Sequence, residues 1–276
     1  MTEENPGPED EQDLWPPFYL AGRGGRAARD QGLHDHVRRH REHGSGPPRR
    51  ARSLSRAEIV RAAIAVADAE GPDAISMRRI ARELNAGAMS LYWHVASKEE
   101  LLDRMLDAVD GEMQAPEPTG DWRADLAAIA RNQRAALHRH RWIMDFIGGR
   151  PPTGPNQLRN AERGLAALDG AGVGRGDAIG ILMAVGTYAT GAFLREVQEM
   201  RAEQDWKREV ESAGEEEIAK LMAEYWGSLR ASGRYPRLME LADAGIDPDA
   251  ADTRDERFEF GLSCLLDGIA GRLAAG

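Results

Sequence analysis

Beyond about residue 53, apolar positions recur every three or four residues through most of the chain, and that spacing predicts one helix after another. The first predicted helix follows Ser55, which can form a capping box with Glu58, and carries Ile59, Ala62, Ala63, Val66 and Ala67 on one face. Gly71-Pro72 ends it, because glycine accepts a left-handed C-cap and proline cannot continue the helix. Ser76 caps a second helix with Met77, Ile80, Ala81 and Leu84 inward. Asn85-Ala86-Gly87 tolerates the backbone of a sharp turn. A short helix then starts at Ala88, with Ala88, Leu91 and Val95 facing in. Ser97 and Glu100 form another capping box, ahead of Leu101, Leu102, Met105, Leu106 and Val109.

The same periodicity continues over Asp121–Phe146, Pro155–Leu168, Asp177–Met200, Glu215–Ser232, Arg237–Ala244 and Arg254–Ala274. No strand-period segment of useful length appears, so the expected fold is all-α. Three divisions follow: residues 1–52 as an extension, 53–100 as a three-helix head, and 101–276 as a larger helical domain. The head is too small to bury much core alone and has to lean on the helix that starts after Ser97.

Two helices joined by a short turn, the second free to project, make the helix-turn-helix arrangement. Met89, Ser90, Tyr92, Trp93 and His94 are too polar and aromatic for a surface helix without a partner, and they suit a helix laid in the major groove of DNA. Packing against neighbouring helices is the other reading of Tyr92 and Trp93.

A net charge of −10 and a pI near 5.3 look wrong for a DNA binder until the distribution is considered. Residues 23–52 form a basic arm that includes Arg38, Arg39, Arg49, Arg50 and Arg52, opposed by Asp30, Asp35 and Glu42 alone. Local charge sets attraction to phosphate. The arm is rich in Pro, Gly, Arg and His, and its composition is that of a disordered segment. It either enters a minor groove beside the operator or acts as a non-specific electrostatic tail. His34, His36, His40 and His43 have spacing that could hold a metal, but no cysteine accompanies them, so no metal site and no cofactor are expected.

The remaining composition narrows the class. Cys264 is the single cysteine, so no internal disulfide forms, consistent with a reducing cytoplasm. No signal peptide is evident, and no apolar run is expected to cross a bilayer, so no membrane partner is expected. An all-helical enzyme is one competing reading. Against it, the chain has no G-x-S-x-G or H-E-x-x-H motif, and the Gly170–Gly176 run follows a helix instead of a strand. An architectural DNA binder using the arginine arm alone is another, and it leaves the short projecting helix unexplained.

The segment ELNAGAMSLYWHVASKEELL resembles the recognition region of the TetR family of bacterial transcriptional repressors, and LYWHV followed by Lys98 is close to the tetracycline-repressor branch. Ala184–Met200 and Phe258–Leu273 resemble that branch's two dimer-forming helices. The resemblance implies a homodimeric, ligand-responsive repressor of a palindromic operator, controlling an efflux or small-molecule pathway gene such as one for antibiotic resistance. It implies DNA contacts by Arg78, Ser90, Tyr92, Trp93, His94 and Lys98. Ala88 and Met89 depart from the branch pattern, so the operator should differ.

By the same resemblance, a ligand pocket would be lined by Gln114, Asn132, Trp142, Phe146, Met183, Thr187 and Tyr188. Apolar walls with sparse polar anchors suit a sizeable, flattish organic molecule. Phe146 and Thr187 stand where the branch has histidines, and Arg195 where it has an acidic ligand to magnesium. A magnesium–tetracycline complex is therefore not the expected inducer. Small residues at Gly180, Ala184, Thr187 and Gly191 form one smooth stripe. With Leu262, Leu265, Leu266 and Ile269 of the last helix it suits either packing within the chain or half of an intermolecular four-helix bundle. The resemblance favours the dimer.

Overall fold

The computed structural model describes residues 54–113, 117–146, 154–247 and 250–275. The acidic leader, the arginine arm with Arg49, Arg50 and Arg52, and Gln114 lie outside them. The described residues contain ten α-helices and no strand. They are α1 (Arg56–Glu70), α2 (Met77–Glu83), α3 (Ala88–Tyr92), α4 (Lys98–Glu112), α5 (Trp122–Arg139), α6 (Pro155–Ala166), α7 (Arg175–Ala213), α8 (Glu215–Ser232), α9 (Pro236–Asp243) and α10 (Arg254–Ala275). The described residues form two compact units, one of residues 54–118 together with 135–167, the other of 119–134 together with 168–275.

In the first unit, local chemistry sets the helix ends. Ser55 accepts from the Glu58 N–H at 3.2 Å while the Glu58 carboxylate accepts from the Ser55 N–H at 2.9 Å, a complete capping box. Gly71, at φ 86°, ends α1 by donating its N–H to the Ala67 carbonyl. The turn between α2 and α3 takes its left-handed residue at Asn85, φ 50°, whereas Gly87 stays at an ordinary φ of −77° as the N-cap of α3. Ile59, Ile80, Leu91, Val95, Leu101, Met105 and Val109 are fully buried. Leu101, Met105 and Val109 belong to α4, which packs against α1, so α4 supplies the wall the short head lacks.

α6 packs along α4, and a carboxylate organises the joint. Asp107 of α4 accepts from the backbone N–H groups of Asn156 at 2.9 Å and Gln157 at 3.3 Å, and from Asn156 Nδ2 at 3.0 Å. An acidic side chain borrowed from α4 thus satisfies the open N–H groups at the start of α6. The approach is so close that a Cβ on Gly154 would lie 2.0 Å from Asp107 Oδ1. α5 stops at Arg139, and a 3₁₀ segment, Arg141–Asp145, follows where one continuous helix to Phe146 is expected.

In the second unit, α7 runs 39 residues, well past the Met200 end that its apolar pattern predicts. It includes an 18-residue stretch of mean hydropathy 1.4, so it is long and apolar enough to cross a membrane, contrary to expectation. Its continuation carries the charged run Arg201–Glu211, which no break residue interrupts before Gly214. Ala178, Ile181, Val185, Ala189 and Phe193 of α7 are buried, as are Phe258, Leu262, Leu266 and Ile269 of α10. α8 buries no residue, and Leu221 and Tyr225 remain exposed on it.

Candidate functional site

Leu91 and Val95 anchor α3 and its C-terminal turn from below, both fully buried. Arg56 of α1 donates from Nε to the His94 carbonyl at 2.7 Å, which fixes the end of that turn. With the inner face committed, the outer face projects. Met89 is 43% exposed, Tyr92 42% and Trp93 67%. Packing among the described residues therefore leaves Tyr92 and Trp93 largely uncovered. Ser90, Arg78 and Lys98 are exposed as well, His94 is half-buried, and Ala88, expected inward, is only partly covered.

Nearby cations divide into two groups. Arg79 is held by Glu70, with an Nε–Oε1 distance of 3.0 Å, and by Glu83, 2.9 Å from its Nη1. Its hydrogen bond holds the Glu70 carboxyl below the usual carboxylate range. Arg79 is thereby a strut between α1 and α2. Arg78, at the adjacent position, is exposed. Met89, Ser90, Tyr92, Trp93, Arg78 and Lys98 make a surface of hydroxyls, cations and flat apolar groups, the chemistry that meets phosphates and base edges.

The residues expected to line a ligand pocket are distributed over both units. Trp142 is buried in the first, donates from Nε1 to Asp68 at 2.7 Å, and meets Phe146 edge-on at 6.1 Å between ring centres. Asn132, Met183, Thr187 and Tyr188 belong to the second. Thr187 and Tyr188 line an open groove of about 420 Å³ between α7 and α10, with Gly191, Ala192, Phe258 and Gly261. The Tyr188 hydroxyl donates to the Phe258 carbonyl at 2.6 Å, and burial pushes its phenol up. Met183 lies outside that groove and is 68% exposed.

The sequence reading missed the ionic network along this groove. Glu199 is buried and accepts from Arg195 at 2.8 Å, Arg254 at 3.1 Å and Arg257 at 2.6 Å. Burial works against its charge, but the three guanidinium hydrogen bonds prevail and hold the carboxyl below its usual range. Arg134 of α5 bridges Glu196 and Asp255 and lies 4.6 Å over the Phe258 ring. Only the i,i+4 spacing of Arg195 and Glu199 is visible in the sequence; the other partners are about 55 residues away. Arg195, placed where a metal ligand would stand, is thus part of a structural ion cluster.

The residues expected to meet a second copy differ in exposure. Leu262, Leu266 and Ile269 are buried within the protomer, because α10 turns that stripe toward its own unit, and Leu265 is half-covered. The opposite face of α10 presents Phe260, Ser263, Cys264 and Gly268, with Phe260 73% exposed. On α7 the stripe of Gly180, Ala184, Thr187 and Gly191 is exposed, flanked by Ile179, Met183 and Leu194.

Residues 59–105 match the family of bacterial regulatory proteins, tetR family, and residues 115–273 match the tetracyclin repressor-like C-terminal domain. The HTH-type transcriptional repressor DrrR1 of Streptomyces coeruleorubidus is 34% identical over 226 residues, covering 79% of this chain and 77% of that protein. The tetracycline repressor protein class A from transposon 1721 of Escherichia coli is 31% identical over 219 residues, covering 78% and 89%. ActR of Streptomyces coelicolor, solved in complex with actinorhodin, aligns with a TM-score of 0.60 at 31% identity, covering 80% of this chain and 98% of that one.

Proposed function

The chain belongs to the TetR family of bacterial transcriptional regulators, DNA-binding repressors and not enzymes, and from that premise we propose that it represses its target as a homodimer on a palindromic operator and is released by a small organic effector. The observation that carries the reading is the exposed outer face of α3 and its C-terminal turn, with Tyr92 and Trp93 projecting while Leu91 and Val95 are fully buried. Tyr92, Ser90 and Lys98 take phosphates and fix register. Arg78, Met89, Trp93 and His94 reach base edges or the thymine methyl. The arginine arm adds affinity along the adjacent backbone.

The second copy packs on the exposed faces of α7 and α10. Gly180, Ala184 and Gly191 let the helices approach closely, and Met183 and Phe260 supply apolar area. Two heads on a two-fold axis then read successive major grooves, roughly 34 Å apart. A ligand that binds the DNA-free arrangement better lowers operator affinity by that difference. The effector is a sizeable, flat organic molecule, consistent with the actinorhodin complex of the related ActR. The regulated gene serves efflux of such a molecule or its pathway, in the cytoplasm where the regulator meets DNA.

Selection of bound duplexes from a random pool by the full chain tests the reading. The expected product is one short palindrome, bound by two protomers and released by one member of a panel of flat polycyclic compounds. Selection of duplexes with no shared sequence would return the protein to non-specific, arm-driven binding.

A further inference from the structure

Among the described residues one histidine is buried, and both of its ring nitrogens face carboxylates. His140 is 6% exposed and terminates α5, its N–H donating to the Ala136 carbonyl at 3.0 Å. Its Nδ1 lies 2.8 Å from Asp68 Oδ1 and its Nε2 lies 3.0 Å from Glu112 Oε2. Asp68 is in the last turn of α1, the opening helix of the DNA-binding head, and Glu112 is the last residue of α4. Trp142 donates to the same Asp68 oxygen, and Arg139 sits 3.2 Å from Glu112. One imidazole therefore joins the head, the end of α4 and the segment that follows α5.

The protonation chemistry of that joint is constrained. An ionised carboxylate only accepts hydrogen bonds, and a neutral imidazole has one N–H and one bare nitrogen. A neutral ring could donate to Asp68 or to Glu112, and its other nitrogen would then present a lone pair to a carboxylate. With both carboxylates ionised, both contacts are satisfied together only by the doubly protonated ring. The charged groups facing it are Asp68 from α1, and Glu112 from α4 with Arg139 beside it.

We propose that His140 is a positioning residue for DNA binding, a protonation-dependent pin that holds α1 of the head against the end of α4 and the Arg141–Asp145 segment. Loss of its proton breaks one of the two arms and frees the head to change its angle. The pin rests on the repressor reading for its consequence on DNA, but not for its existence.

The test compares the full-length wild type with His140→Gln and Asp68→Asn between pH 6 and pH 9. The readouts are thermal unfolding and affinity for the duplex selected by the wild type. The informative quantity is the difference between proteins. Wild-type affinity should fall with rising pH about three- to tenfold more than that of His140→Gln, where a single lost arm is worth about 1 kcal/mol. Asp68→Asn should flatten the profile as well, because its amide oxygen keeps the Trp142 hydrogen bond at that position but no longer pairs as a carboxylate with a charged ring. Parallel profiles for all three proteins, in affinity and in unfolding midpoint, would overturn the pin. If no duplex is selected, the repressor reading fails and the unfolding midpoints alone still decide for or against the pin.

Discussion

Asp110→Asn reads the least comfortable charge described on α4. Burial pushes the Asp110 carboxyl up from 3.8 to about 7, the Gln157 side chain opposes that rise by hydrogen bonding, and the neighbouring Asp107 adds to it. Between about pH 4 and pH 7 the native protein therefore holds a proton that the unfolded chain has released. By linkage, stability falls as pH rises through that window, and above about pH 7 the ionised group exerts its whole destabilising effect. At about 1.4 kcal/mol per pH unit the full difference is about 4 kcal/mol, and partial access of water to the side chain reduces it to about 2. Asparagine keeps the shape and the exchange with Gln157 but carries no charge. Urea unfolding at a series of pH values should show the variant equal to wild type near pH 4. Near pH 8 it should be more stable by about 2 kcal/mol, with an unchanged denaturant slope. Two stability curves that run parallel from pH 4 to pH 8 would refute the account, since Asp110 would then titrate as it does in the unfolded chain.

Other perturbations separate the remaining parts of the argument. Tyr92→Ala and Lys98→Ala should each weaken operator binding about tenfold or more in gel-shift titrations, the value of a hydrogen bond to a charged group, with no change in unfolding midpoint. Asp107→Ala removes the cap of α6 and strands its N–H groups, which should lower stability by about 2 kcal/mol in the same urea assay. Ala184→Arg, paired with Phe260→Asp, should leave the helical content intact and convert the sedimenting species from dimer to monomer. Removal of residues 1–50 should lower operator affinity and flatten its dependence on salt, and an unchanged slope would deny the arm any contact with phosphate.

Much of the head was legible because its determinants are local. Ser55 with Glu58, Ser76, and Ser97 with Glu100 announce helix starts, and each serine accepts the expected N–H three residues on. Only Ser55 and Glu58 close a full box, because the Glu100 carboxylate accepts from the Ala96 N–H instead of that of Ser97. Leu91 and Val95 announce an inner face, so the outer face of α3 follows by elimination. The second unit was legible as helices but not as surfaces. The stripe of Leu262, Leu266 and Ile269 is equally apolar whether a second copy or the chain itself covers it, and the structure covers it from within. The length of α7 was hidden for a related reason. Its apolar pattern fades after Met200, while the helix continues through charged residues that keep good helical propensity.

By itself, the sequence determined the class of the fold, the places where helices begin, and the chemistry offered on α3, because propensity, capping and periodicity act over a few residues. Tertiary structure alone decided which side of α10 is buried, that Asp107 caps a helix 50 residues away, and that Asp68, His140 and Glu112 share one imidazole. Those outcomes depend on which helices meet and at what angle. Periodicity supplies a face for each helix and leaves its partner unnamed, and only the packed chain supplies the partner.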